Sequence, residues 1–336
     1  MNTTVEMYKS LIDDLKSNNY GIDNDLYRKF VYANGGGIVY SVSVRERTRA
    51  LFVPVERENT NIKFPVWKGV EISFVTLPKY SCKEQLYIRL KQMPETEAYI
   101  YEVVVEDIRK SLANVKQVSD FALVTHSILQ KWKVFFSTGM KPVLSEIKVQ
   151  GLYGELSFLK ELIEEIGGTI VNSWVGINNE THDFYIGQNA VEIKTTVTQA
   201  PYMAHINSEY QLDDRDVGGR LFLKMYALRK ASSGGQKLPE LISEIRKLLK
   251  NDGNYLSSFN DKLIKAGYFD ITEDYYTIGY AYRDSYSFEV REGFPRVIRD
   301  ELENGIYDLE YNVAISHCMN FAIEAKELIQ ALKLSG

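Results

Sequence analysis

Between residues 181 and 196 the chain reads Thr-His-Asp-Phe-Tyr-Ile-Gly-Gln-Asn-Ala-Val-Glu-Ile-Lys-Thr-Thr, and its acids and lysine fall at the spacing of strand residues. Two strand-like runs flank Gly187-Gln188. Glycine at the first central position suits a two-residue type II′ turn, which predicts the pairs 186 with 189, 185 with 190, 184 with 191 and 183 with 192. Asp183 and Glu192 then face each other with Cβ atoms about 5 Å apart. Two carboxylates at that separation repel unless a proton or a cation lies between them. Because side chains alternate along a strand, Lys194 shares the face of Glu192 and Asp183 while Ile193 points to the core. Ligation by carboxylates and water suits Mg²⁺, with Mn²⁺ as a substitute, and not zinc. Asp183 and Glu192 are thus candidate metal ligands. The lysine can orient a nucleophilic water and offset developing phosphoryl charge, while the metal makes that water more acidic.

A third acid comes from the helix predicted over Gly151–Ile166. Leu152, Leu156, Leu159, Ile163 and Ile166 form its apolar stripe, and Glu155 lies about 60° from the centre of that stripe, where it can reach toward the acid pair as a further metal ligand. Gly151 and Gly154 would allow close backbone approach; Glu161, Glu164 and Glu165 fall on the solvent side. Each element taken singly also fits an ordinary structural role: a strand-end hydrogen bond for Asp183, a solvated pair for Glu192 and Lys194, a dipole partner for Glu155. The combination is what points to chemistry. Gln150, Gln199 and His205 are weaker candidates for substrate contact. His126 and His317 lie among apolar residues and are expected in the core, and Asp213-Asp-Arg-Asp216 reads as a solvated turn.

The elements that must position these residues fall into two parts. Residues 1–20 read as a short helix. Strands follow at IVYSVSV, RALFVPV, VEISFVTL and EAYIYEVVVE, with the glycines at 35–37 as a turn, and this is a small, mostly antiparallel β domain. A helix from Val105 to about Phe136 closes it, and a boundary is expected near residue 140, giving domains 1–140 and 141–336. After the Gly151–Ile166 helix come strands at TIVNSW, HDFYI and AVEIKTTV, an apolar run LFLKMYAL, helices near Leu238–Leu249 and Phe259–Ala266, aromatic-rich strands over Tyr275–Val290 and a helix near Phe321–Leu332. This is an α/β or α+β pattern.

Composition bounds the rest. With 336 residues, 25% charged and 45% hydrophobic, the chain is ordinary globular sequence long enough for two domains. Its net charge of −5 lacks the positive field of a protein that coats nucleic acid. The division is uneven, however, with 21 basic and 17 acidic residues up to residue 150 and 19 and 28 after it. Cys82 and Cys318 are too far apart in sequence and too few for a zinc cluster or a disulfide framework, and reduced buried thiols are expected. The first twenty residues have no continuous apolar stretch, so neither a signal peptide nor a membrane span is expected and a cytoplasmic protein is.

Glu155, Asp183 and Glu192-Ile193-Lys194 together resemble the PD-(D/E)XK nuclease superfamily, with His182 in place of the proline of that name. Gln150-Gly-Leu-Tyr-Gly-Glu-Leu-Ser-Phe-Leu159, His182-Asp-Phe184, Glu192-Ile-Lys-Thr-Thr196, Gln211-Leu-Asp213 and Gly293-Phe-Pro-Arg296 are similar to an uncharacterised bacterial PD-(D/E)XK family found beside restriction and phage-defence genes. The likeness covers residues 145–320. It implies a restriction-endonuclease-like core, a mixed central sheet flanked by helices, and a Mg²⁺-dependent endonuclease acting on double-stranded DNA. Glu155, Asp183, Glu192 and Lys194 are then the catalytic residues. A homodimer, or a complex with a helicase or methyltransferase, is expected. The alternative is a catalytically silent nuclease fold serving DNA binding or assembly.

Overall fold

The computed structural model describes residues 3–17, 25–66, 69–77, 85–137, 141–178 and 180–334. The chain divides into two compact units, Met1–Pro142 and Val143–Gly336. Cys82 lies outside the described residues; Cys318 is a free, buried thiol.

In the first unit, helix α1 (Thr4–Ser17) precedes strands β1 (Leu26–Val31), β2 (Gly37–Val42), β3 (Arg49–Val55), β4 (Val70–Thr76) and β5 (Leu86–Gln92), then helices α2 (Ala98–Leu112) and α3 (Phe121–Ser137). The strands form one antiparallel sheet in the order β1-β2-β3-β5-β4. The glycines at 35–37 turn β1 into β2, with Gly35 at φ 80°. Two expectations are corrected here. EAYIYEVVVE is helix, not strand. Its β-branched and aromatic residues favour a strand locally, but all of Tyr101–Glu106 is buried, and a helix buried on nearly every side carries no period-3.6 polar face to betray it. The single helix expected over 105–136 is two helices, because the chain breaks between Leu112 and Phe121.

In the second unit, helix α4 (Glu146–Ile166) is followed by strands β6 (Phe184–Ile186), β7 (Asn189–Thr196), β8 (Met203–Ile206), β9 (Leu221–Ala231) and β10 (Gln236–Lys237). Helices α5 (Leu238–Leu248) and α6 (Gly253–Lys265) come next, then strands β11 (Gly279–Val290), β12 (Tyr311–Ala314) and β13 (Ala322–Ile323), and helix α7 (Ala325–Lys333). The main sheet runs β10-β11-β9-β7-β6, with β13 on β11; β7 and β9 are parallel neighbours, and β12 pairs with β8 in a separate ribbon. The fold is therefore mixed α+β. Helix α4 starts five residues before the predicted position, because Ser145 caps it by accepting a hydrogen bond from the Lys148 amide. TIVNSW forms a 3₁₀ segment, Gly168–Ser173, instead of a strand, and Trp174 makes only a single bridge to Phe184.

The core is split by the sheet. On one face Val191 and Ile193 of β7 pack with Leu152, Leu156 and Leu159 of α4. On the other, Ala190 packs with Leu221, Leu223 and Met225 of β9 and with Ala204, Ile206 and Leu212. The apolar stripe of α4 thus docks on the strand that carries the acid and the lysine. No helix among the described residues is long and apolar enough to cross a membrane.

Candidate active site

The hairpin register is Phe184 with Val191, Tyr185 with Ala190 and Ile186 with Asn189. Gly187 at φ 59° supplies the left-handed residue that the type II′ turn needs. Asp183 lies one residue beyond the ladder. Its main-chain carbonyl accepts from the amides of Val175 (2.9 Å) and Gly176 (3.1 Å), while its Oδ2 accepts from the Ile193 amide at 2.7 Å. A Cβ on residue 176 would stand 2.6 Å from Asp183 Oδ1, so that close approach requires glycine.

Glu192 is 2% exposed and Lys194 9%. Lys194 Nζ lies 2.8 Å from Glu192 Oε1 and donates to Gln211 Oε1 at 2.8 Å. The second carboxylate oxygen of Glu192, Oε2, is buried and has no hydrogen-bond partner among the described residues. Glu155 accepts at Oε2 from the Trp174 indole N–H at 2.7 Å. Trp174 is itself fully buried, and Lys262 of α6 donates to the carbonyls of Asn172 and Trp174, so the segment that presents the indole is tied down.

Burial of these acids has a large electrostatic effect. Desolvation, and then the charge of Asp183, push Glu192 up to about 8. Burial raises Asp183 to about 6, against the opposing pull of the Ile193 amide and Lys194. Burial and the Asp183 charge hold Glu155 well above the usual carboxylate range, with Glu192 adding to the rise and Trp174 and Lys194 opposing it. The three acids therefore feel one another, and near neutral pH they cannot all ionise without a counter-charge beyond Lys194.

Among the described residues no three His, Cys, Asp or Glu side chains are already gathered around a common point as a metal site. Each acid is instead held by a neighbour: Glu155 by Trp174, Asp183 by the Ile193 amide, Glu192 by Lys194. The donor set nonetheless fits a hard divalent cation. Its atoms are carboxylate oxygens, one of them is buried and unpartnered, and the mutual repulsion is of the kind that a cation relieves.

The other candidates separate. Gln150 on α4 donates to the carbonyl (3.2 Å) and hydroxyl (3.1 Å) of Thr195, fastening the helix to β7. Gln199 is exposed. His205 is exposed on β8, where Nδ1 lies 3.2 Å from Asn312 Oδ1 and the ring faces Glu310. His317 is exposed and His126 half-buried, contrary to the expected core positions. Glu161 is not simply solvated, since it accepts from the Tyr226 hydroxyl at 2.8 Å and faces the buried Lys224. The sequence reading missed Trp174, for which no local signal exists, and Gln211, which stood in a quoted motif without a role.

Of the two glycines on α4, one is needed for close approach. A Cβ on Gly154 would meet Thr195 Cγ2 at 2.3 Å and Ile193 Cγ2 at 3.4 Å, whereas one on Gly151 would meet nothing within 4 Å. Gly151→Ala should therefore stabilise the protein by about 1 kcal/mol through helix propensity. Gly154→Ala should destabilise it, since forcing α4 off β7 costs about 1–3 kcal/mol and outweighs the same propensity gain. Thermal melts of the two variants should move in opposite directions; a rise in both would show that α4 and β7 are not in close contact.

A family model described as "Putative PD-(D/E)XK family member, (DUF4420)" matches residues 27–316 of the chain. No curated protein and no solved structure matches it.

Proposed function

The chain belongs to this PD-(D/E)XK family, whose name points to a nuclease, and from that premise we propose that it is a Mg²⁺-dependent endonuclease hydrolysing phosphodiester bonds of double-stranded DNA in a restriction or phage-defence system. The observation that supports the reading most is the electrostatic coupling of Glu155 from α4 with Asp183, Glu192 and Lys194 of the hairpin, together with a Glu192 oxygen that is buried and has no partner among the described residues.

Asp183 and Glu192 would hold the cation, with Glu155 as a further oxygen donor. Bound there, the cation supplies Lewis acidity toward the phosphate and lowers the cost of generating a hydroxide nucleophile. Lys194 holds and orients the attacking water and offsets the charge that grows on the phosphoryl oxygens. Trp174 keeps the Glu155 carboxylate turned to its place without adding charge. Gln150 keeps α4, and with it Glu155, in register with β7. Hydrolysis of both strands needs two such sites, so the acting species is a homodimer or a complex subunit, with a helicase or methyltransferase as the fitting partner.

The test is cleavage of methylated and unmethylated plasmid, and of matched DNA and RNA duplexes, by wild type and Asp183→Ala. Wild type should nick or linearise DNA with Mg²⁺ or Mn²⁺, leave RNA intact and be silent in EDTA, while Asp183→Ala is inactive. Metal-dependent cutting that survives in Asp183→Ala would remove the site assignment. Tight, metal-independent DNA binding without hydrolysis under either ion would move the protein to the non-catalytic reading.

A further inference from the structure

Lys194 has three N–H donors, and two of them find partners among the described residues. One meets Glu192 Oε1 and another meets Gln211 Oε1, each at 2.8 Å. The Gln211 oxygen also accepts from the Asn207 amide at 2.9 Å. Both facing groups are donors, so only the oxygen of the Gln211 amide can sit between them, and its orientation is determined by chemistry. The ammonium is gripped from two sides, leaving one N–H to be directed.

The segment carrying Gln211 is held from outside. Leu212 is fully buried against the sheet. Arg296 donates to the Leu212 carbonyl at 3.0 Å and pairs with Asp214 at 2.9 Å. Asp213, expected in a solvated turn, is 7% exposed and accepts from Arg215 Nε at 2.8 Å and from the Arg299 amide at 3.4 Å. Two stretches far apart in sequence, Gln211-Leu-Asp213 and Gly293-Phe-Pro-Arg296, thus form one brace behind the lysine. A half-buried glutamine on an unbraced loop would add little order to an ammonium, but this one is fixed at both ends.

We propose that Gln211 is a positioning residue for Lys194: with Glu192 it occupies two of the three ammonium protons and aims the third at the reacting water or phosphate. This deepens, and rests on, the nuclease reading. It rests on where the hydrogen bonds of the ammonium point. The effect belongs in turnover and not in substrate binding, because the remaining N–H is used in the transition state.

The experiment uses the full chain with Gln211→Leu, which removes the acceptor at similar volume, and Gln211→Glu, which keeps an acceptor oxygen. Gln211→Ala stands in for Gln211→Leu if the latter does not fold. Two readouts are taken. In DNA cleavage with Mg²⁺, Gln211→Leu should lose roughly ten- to a hundredfold in kcat with KM within threefold, a loss of the size found for outer-shell partners, and Gln211→Glu should recover most of it. In ¹H–¹⁵N spectra of the metal-free protein, the Lys194 ammonium signal, identified by its absence in Lys194→Arg, should be protected from solvent exchange in wild type and Gln211→Glu and broadened away in Gln211→Leu. Unchanged kcat in Gln211→Leu, a loss confined to KM, or an undisturbed Lys194 signal overturns the proposal. A wild type that cuts no DNA overturns the nuclease reading instead, and the ammonium signal then decides the positioning role by itself.

Discussion

Asp183→Asn should abolish cleavage, by on the order of 10³-fold or more, and at the same time make the metal-free protein more stable. The loss follows from the proposed role of Asp183 as a carboxylate ligand of the cation. The gain follows from linkage. Glu192 and Asp183 titrate higher in the folded protein than in the unfolded chain, so the native state keeps protons that the unfolded state gives up. Their contribution is fully present below the ordinary carboxylate range and is lost as pH rises toward about 8, where Glu192 ionises in the folded state. The penalty by then is on the order of a few kcal/mol. Asparagine keeps an oxygen for the Ile193 amide but brings no charge, so it relieves both Glu155 and Glu192. In EDTA, the melting temperature of wild type should fall between pH 5 and pH 8, that of Asp183→Asn should fall less, and added Mg²⁺ or Mn²⁺ should restore wild type most at the higher pH. A melting temperature that does not depend on pH in wild type would contradict the electrostatic account.

Lys194→Met should abolish activity as well, by about 10²–10⁴-fold, but with the opposite effect on stability. Removing the ammonium leaves Glu192, 2% exposed, with one oxygen newly unpaired beside another that already has no partner. Breaking a buried pair by deleting one member costs about 3–5 kcal/mol, because the surviving charge is left without compensation. Protonation of Glu192 limits the damage. The destabilisation should therefore be greater at pH 9 than at pH 6, because Glu192 ionises in folded wild type only near 8 and is neutral well below it. Glu192→Gln in the same chain should recover much of the stability and none of the activity. Chemical denaturation at the two pH values checks this; equal destabilisation at both would mean that lost packing of the lysine stem, not its charge, dominates.

These two variants separate what is legible in a sequence from what is not. The hairpin was readable because its information is local: a glycine at one turn position, alternation on both sides, and a register that follows from the turn. The ladder pairs 184 with 191, 185 with 190 and 186 with 189 as the spacing predicts, and ends one residue short of Asp183 and Glu192. Glu155 was readable because a helix has a fixed period. Local patterns misled where burial was complete. In Tyr101–Glu106 a buried helix and a buried strand look alike, and in TIVNSW a β-branched run gave way to a 3₁₀ turn that delivers Trp174 to Glu155. Contacts between distant segments left no local trace. Neither the indole on Glu155 nor the Gln211 acceptor on Lys194 follows from spacing, because each depends on which strands become neighbours.

The parallel pairing of β7 with β9 has a consequence for how such a protein can vary. Antiparallel neighbours can be joined by two residues, but parallel ones require the chain to travel back over the sheet. The connection 197–220 makes that return, and it packs Ala204, Ile206 and Leu212 on the face that bears Ala190. A covering segment over that side of β7 is therefore dictated by strand order. Its length can grow between the residues that pack or brace, but shortening it to a tight turn would demand a different topology.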